Sequence, residues 1–355
     1  MNAQGWTVPV GRTLLGRWLN ADGDVVDEMG PVTDAPRVPV IQSISATGGL
    51  SVPDQMLETG IKVVDLMVPM ARGGTMSLVG PYGVGKLVLV SELVRNMTVG
   101  RRGCAVFVSV EERPGELHEL MLAFREAGVA NHFVFVYAQV GDPTEARGRS
   151  LWTGLTLAQY FRDREGLDVL LIVDERVLNG EPRDLKQWGG TTGNGAITTV
   201  LVAGATSSAE PGDSQIVMSR GLFDQQIYPA VDPVQSRSRL LDTGAGGETH
   251  VQVARQVRAI LQRAQALRDS LEHQDRERLS AEDRQLITRA CRIQFFFTQP
   301  FFTAQLYTGI PGEYVTVEET VKGVKGLLEG HYDEVSEEMF RLIGSIDQAV
   351  RKTKS

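Results

Sequence analysis

The sequence predicts an α/β protein: a mostly parallel sheet flanked by helices, joined to a helical C-terminal region. Three observations lead there. Between about Thr75 and Gly204, short apolar runs alternate with stretches that carry helical spacing. The runs are apolar throughout, which suits strands covered on both faces. Near His250 the pattern changes, and helical periodicity continues to the end of the chain.

Taken in order, residues 1–48 are rich in Gly, Pro and Asp turns and read as a strand-and-loop lead-in. The predicted strands are "TMSLVG" (75–80), "CAVFVSV" (104–110), "HFVFVYA" (132–138), "DVLLIVD" (168–174) and "ITTVLVAG" (197–204). Between the first four lie three helical stretches, "GKLVLVSELVRNM", "GELHELMLAFREAGV" and "SLWTGLTLAQYFRDREG". The Gly-rich "DTGAGGETH" suits a hinge or loop. After it, Val253, Val257, Ile260, Leu261, Ala264, Leu267 and Leu271 fall on one helical stripe. The simplest division is a lead-in at 1–48, an α/β domain at 49–248 and a helical domain at 249–355.

Composition bounds the function classes. A chain of 355 residues, 42% hydrophobic and 23% charged, can bury a sizeable core. The net charge of -8 argues against a broad basic surface for nucleic acid. It leaves room for a local basic phosphate pocket. Cys104 and Cys291 are the only cysteines and lie far apart, as in a reducing, cytosolic compartment. The first residues carry no apolar signal core, and no run approaches bilayer-spanning length. The expectation is a cytoplasmic protein, free or peripheral to a membrane complex, without membrane insertion.

Residues 80–87, "GPYGVGKL", match a phosphate-binding loop at every position but the last. A predicted strand leads into Gly80, and Gly85-Lys86 opens a predicted helix. In that context the backbone N–H groups of 83–88 point at a β-phosphate, the helix N-terminus adds its dipole, and Lys86 adds a full charge. The expected phosphate contacts are Gly80, Gly83, Val84, Gly85, Lys86, Leu87 and Val88. "DVLLIVDE" ends a strand on Asp174, which is placed to hold Mg²⁺ directly or through water, or else caps the following turn. Glu112, in "VFVSVEERPGELHEL", either orients an attacking water or belongs to a solvated cluster with Glu111 and Arg113.

At this point the chain resembles the catalytic beta-subunit family of the F-type rotary ATP synthases. "IYPAVDPVQSRSRLLD" (227–242) carries the likeness most strongly. "TGIKVVDLMVPMARGG" (59–74), "GLTLAQYFRDREGLDVLLIVD" (154–174) and "CRIQFFFTQPFFTAQLYTG" (291–309) are similar to further family stretches, in consistent order. The resemblance implies a RecA-like nucleotide-binding core with a helical C-terminal domain. It places Lys86 on the phosphate-contacting lysine, Glu112 on the carboxylate that positions the hydrolytic water, and Arg113 on the arginine beside it. Asp174 falls on the metal-associated aspartate and Tyr228 on the tyrosine that stacks on adenine. Phe301 and Tyr307 fall on aromatics that close the base pocket, Tyr307 replacing the usual Phe; core packing is the plainer role for any of these aromatics.

Four departures from the family pattern bear on function. Leu87 replaces the hydroxyl that binds Mg²⁺, and the loss of even an indirect metal contact typically costs about 10–100-fold. The family arginine that helps bind the terminal phosphate aligns with Leu178; Arg176 is close but points differently on a strand or turn. The stretch after Asp174 shortens to "NGEPRDLKQWGGTTGNG", and "AGATSSAEPGD" replaces the acidic loop that meets the rotor shaft. "VPVGRTLLGRW" (8–18) is similar to the exit of the family's N-terminal β-barrel, so the lead-in reads as its remnant. One retained feature, Arg239 in "QSRSRL", sits where the alpha-type partner carries a trans-acting arginine; in beta-type chains that motif is structural.

Three readings follow from these residues. One is an ATP- or ADP-binding paralogue with weak or absent hydrolysis and weakened Mg²⁺ binding, held in an assembly with itself or with ATP-synthase-like subunits. The second is a working Mg²⁺-dependent ATPase or ATP synthase subunit. The third is a scaffold with a vestigial pocket, against which the intact glycines and aromatic positions argue.

Overall fold

The computed structural model describes residues 5–40, 54–111, 116–139, 141–178, 188–207, 212–271 and 279–354. The chain divides into two compact units. The first comprises Met1–Gln55, Ala71–Tyr82 and Lys86–Gln215; the second comprises Met56–Met70, Gly83–Gly85 and Ile216–Ser355.

In the first unit, β1 (Thr7–Pro9), β2 (Trp18–Asn20) and β3 (Arg37–Pro39) belong to the lead-in, with β1 and β3 paired antiparallel. The main strands are β4 (Thr75–Val79), β5 (Gly103–Glu111), β6 (Phe133–Gln139), β7 (Asp168–Asp174), β8 (Ala196–Ala203) and β9 (Ser214–Val217). Their order across the sheet is β9-β4-β8-β7-β5-β6-β2. The pairings β4–β8, β8–β7, β7–β5, β5–β6 and β6–β2 are all parallel. All five strands read from the sequence are therefore present as a mostly parallel sheet. The short strands β2 and β9, which flank these five, are additions.

Helices α1 (Lys86–Thr98), α2 (Glu116–Glu126) and α3 (Thr144–Asp163) make the crossovers. Alternation along β5 shows how the sheet is buried on both sides. Cys104, Val106, Val108 and Val110 join a core with Leu151, Leu155, Ala158 and Phe161 of α3. Phe107 on the opposite face lies 4.9 Å (ring centroids) from Phe135, which in turn lies 5.7 Å from Phe124 of α2. Phe124 also stacks on Phe133 at 4.5 Å. One close approach fixes a glycine: a Cβ on Gly154 of α3 would stand 2.2 Å from the Val108 Cγ2.

The second unit is mainly helical, with α4 (Glu248–Leu271), α5 (Ala281–Phe297) and α6 (Val317–Leu328). Val253, Val257, Leu261 and Ala264 of the expected α4 stripe are buried. Ser280 caps α5 by accepting from the Asp283 N–H at 3.0 Å, and Thr316 with Glu319 forms a capping box on α6. The short helix Lys62–Met67 is buried along its whole length in this unit. Lys62 is fully buried, and its Nζ donates to Ile343 O (2.6 Å), Gly344 O (3.1 Å) and Thr298 O (3.2 Å). Asp65, also fully buried, accepts from Thr59 N, Thr59 Oγ1 and Gly60 N. Among the described residues no helix is long and apolar enough to cross a membrane.

Candidate nucleotide site

The sheet register sets the site. Val79, the last residue of β4, lies opposite Ala203, while Val202 lies opposite Asp174, the last residue of β7. The ends of β4 and β7 thus stand at the same edge of the sheet with one strand between them. In an open parallel sheet the crevice at the carboxyl ends of the strands is where ligands bind.

From β4 the chain enters the loop Gly80–Gly85 and then α1, which begins at Lys86. Gly83 has φ 75° and Gly85 has φ 88°. Both angles lie in the left-handed region, which costs a non-glycine residue about 1–2 kcal/mol. At the start of α1 the first N–H groups have no acceptor within the helix and face outward as donors. The Lys86 Nζ donates to the carbonyl oxygens of Gly80 and Pro81, the latter at 3.1 Å. Burial pulls this ammonium below its ordinary value; Glu175 and Asp174 raise it in turn, and Arg176 lowers it. Lys86 therefore senses the charges at the end of β7.

Leu87 and Val88 follow on the first turn, 41% and 47% exposed. The backbone of Leu87 behaves as helix backbone should, its carbonyl accepting from Ser91 Oγ at 2.8 Å. Its side chain offers no lone pair to a cation.

Asp174 is buried, and both oxygens of its carboxylate accept hydrogen bonds. Oδ2 accepts from Ser109 Oγ at 3.1 Å, from Arg176 Nε at 2.8 Å and from Arg176 Nη2. Oδ1 accepts from the Arg176 backbone N–H at 3.0 Å. The cause is local. β7 passes directly into a 3-10 turn, Glu175–Leu178, which brings the residue two positions on back over the aspartate. Ser109 is supplied by β5, whose Val108 pairs with Val173. Glu175, next in the turn, accepts from the Gly204 N–H at the end of β8.

These contacts test how well the residues fit the Mg²⁺ implied by the resemblance. A carboxylate has about four lone-pair directions. Three of the donors named above converge on Oδ2 and the fourth takes one direction of Oδ1, which leaves a single direction on Oδ1. With Leu87 contributing none, and no group of three or more His, Cys, Asp or Glu placed to hold a metal among the described residues, the donor set does not fit a Mg²⁺ ion. The carboxylate expected to hold the metal is bonded to an arginine.

The remaining sequence-derived positions fall as follows. Glu112 and Arg113 lie outside the described residues, as do 179–187 and 208–211 of the two altered segments. Leu178 is buried in the core of the first unit with Val177 and Trp188. In the second unit, Gln299 N donates to Tyr228 O at 3.0 Å, bringing the Tyr228 segment beside the one that carries Phe301. Tyr228 packs edge-on to Phe223 at 5.4 Å and is 40% exposed. Phe301 is buried, as its plainer role of core packing requires, whereas Tyr307 is 70% exposed. Arg239 begins a short helix, Arg239–Thr243, capped by Ser238.

Two features escaped the sequence reading. The Asp174–Arg176 pair is signalled only by an i, i+2 spacing whose meaning depends on the turn between. The Lys62 and Asp65 constellation lies inside "TGIKVVDLM", where an apolar run with two charges was the only cue.

A parallel sheet, a glycine loop with two left-handed residues, and a lysine opening the next helix define a phosphate-binding-loop nucleotide-binding fold. The comparison with known families agrees and is more specific. Residues 60–177 match the model of the ATP synthase alpha/beta family, nucleotide-binding domain. That segment contains the loop, Lys86, Asp174 and Arg176, and the match supports both the alpha/beta family and nucleotide binding.

Proposed function

We propose that this protein is an ATP- or ADP-binding paralogue of the ATP synthase beta type, with weak or absent hydrolysis, that serves in an assembly with itself or with ATP-synthase-like subunits. The observation that carries this reading is the contrast between the two ends of the phosphate site. The left-handed φ angles of Gly83 and Gly85, and Lys86 opening α1 beside the loop carbonyls, support phosphate binding. The residues that would hold the metal are replaced by Leu87 or occupied by Arg176. Phosphoryl transfer to water draws much of its acceleration from a metal bridging the phosphate oxygens, so this contrast favours binding over turnover. The adenine-side roles of Tyr228, Phe301 and Tyr307, and the water-positioning role of Glu112 beside Arg113, are carried from the resemblance.

The test is a fluorescence titration with N-methylanthraniloyl ATP and ADP, alongside a phosphate-release assay. Lys86→Ala is expected to weaken binding about 100-fold, the scale of two lost charge-assisted contacts to phosphate. Sustained phosphate release by the wild type that disappears in both Lys86→Ala and Glu112→Ala would establish a working ATPase instead. Absence of nucleotide binding would leave the scaffold reading.

A further inference from the structure

The arginine that closes over Asp174 occupies the place where a nucleotide-binding site of this construction holds its cation. We infer that Arg176 is the resident cation of the site, and that the site takes the metal-free nucleoside di- or triphosphate in preference to the Mg²⁺ complex. This inference rests on the nucleotide-binding reading above and adds which ionic form of the nucleotide is bound and which residue selects it.

The argument runs from the carboxylate outward. A buried carboxylate needs a compensating charge or a full set of hydrogen bonds. Asp174 obtains the charge and four hydrogen bonds from within the chain: the Arg176 guanidinium through Nε and Nη2, the Arg176 N–H, and the Ser109 hydroxyl. A guanidinium keeps its charge at any ordinary pH, and here both Nε and Nη2 converge on Oδ2, so the pair stays charged wherever the protein is folded. The pair is also built from residues two apart on one rigid turn, so little chain entropy is lost in forming it. To enter, Mg²⁺ would have to displace the guanidinium and then find a second protein oxygen, and the adjoining helix offers Leu87. Mg²⁺ also gives up its inner water reluctantly and keeps near-ideal octahedral geometry, which further disfavours entry beside a fixed guanidinium.

The same placement gives Arg176 a positive role. Lys86 is electrostatically coupled to Asp174, Glu175 and Arg176, so the two cations and two carboxylates form one local charge group around the loop. Phosphate brought to the loop meets Lys86, while Arg176 balances Asp174 without a metal. The Mg²⁺ complex brings its own two charges into a site that has one occupied, and pays the repulsion.

The experiment compares full-length wild type, Arg176→Ala and Arg176→Lys by fluorescent-nucleotide titration, in EDTA and in excess Mg²⁺, with thermal melts showing each variant folded. For wild type, affinity in EDTA is expected to equal or exceed that in Mg²⁺. Arg176→Ala is expected to weaken EDTA binding and to open a Mg²⁺ preference of about 10-fold or more, as Asp174 becomes available to the metal. Arg176→Lys, which keeps the charge but not the planar fork, is expected to fall between. Wild-type binding that is 10-fold or more stronger with Mg²⁺, or an Arg176→Ala ratio equal to that of wild type, overturns the inference while leaving nucleotide binding intact. No binding in either buffer removes both.

Discussion

Replacing Lys62 by methionine is expected to destabilise the second unit by about 3–5 kcal/mol, the cost of leaving buried carbonyl groups without their donor. The figure follows from the contacts. The Lys62 Nζ serves Ile343 O, Gly344 O and Thr298 O, and lies 4.3 Å from the centroid of the Phe296 ring. Methionine matches the volume but donates nothing, so three buried carbonyl groups lose a donor at about 1–3 kcal/mol each. Relief of the buried ammonium offsets part of that sum. The assay can separate the units because all four tryptophans, Trp6, Trp18, Trp152 and Trp188, lie in the first unit. Urea unfolding followed by far-UV circular dichroism should therefore shift more than the same transition followed by tryptophan fluorescence. There is also a pH signature. Burial holds the Lys62 ammonium well below its ordinary 10.5, with Glu313 opposing and Lys352 reinforcing the shift. Between that lowered value and 10.5 the unfolded chain binds the extra proton, so wild-type stability rises with pH in this window. Lys62→Met should lack the rise. A loss below about 1 kcal/mol, or an alkaline rise that survives the substitution, would refute the assignment of these carbonyls to Lys62.

Three further outcomes are expected. Burial pushes the Asp65 carboxyl up to about 7 against the pull of its Thr59 and Gly60 donors; folded above unfolded, it contributes stability below about pH 4 that is lost as pH rises through 7. Asp65→Asn should flatten that fall in thermal melts taken from pH 4 to 8. Gly85→Ala meets no atom within 4 Å at its new Cβ, so its cost is purely the left-handed φ of 88°. The free protein already holds that angle, so the cost of about 1–2 kcal/mol is expected in folding stability, a roughly 5–30-fold lower folded-to-unfolded ratio read by denaturant unfolding. Leu178→Arg, which restores the family's residue type, should not restore phosphate handling. It places a charge in the first unit's core and is expected to lower stability by about 3 kcal/mol or more in denaturant unfolding.

The parallel sheet was legible because each central strand is a contiguous apolar run, and burial on both faces leaves no other use for such runs. The short flanking strands were not. Trp18–Asn20 is three residues long and Ser214–Val217 four, too short to show a period, and their pairing is decided by neighbours distant in sequence. Helix α3 begins at Thr144, six residues before the apolar pattern that announced it, because its first turns carry mostly polar side chains. The phosphate loop was legible for the opposite reason to the flanking strands: strand, glycines, lysine and helix are consecutive, so nothing has to be assembled across the chain.

Asp174 and Leu87 could each be read singly, and each was; what no single position carries is their relation through Arg176. A buried aspartate at a strand end must be neutralised, and when the neighbouring helix supplies no hydroxyl for a metal, neutralisation has to come from elsewhere. The 3-10 turn after β7 supplies it by folding the Arg176 side chain back by two residues. Leu87 alone would leave Asp174 a poor metal site, yet one open to a cation. Arg176 alone would compete with a metal that a hydroxyl at position 87 still helped to hold. On the inference above, the two together close the site to the metal and keep its charge balanced. Neither substitution falls on a loop glycine or on Lys86, so on that inference the two act on the metal and spare the loop.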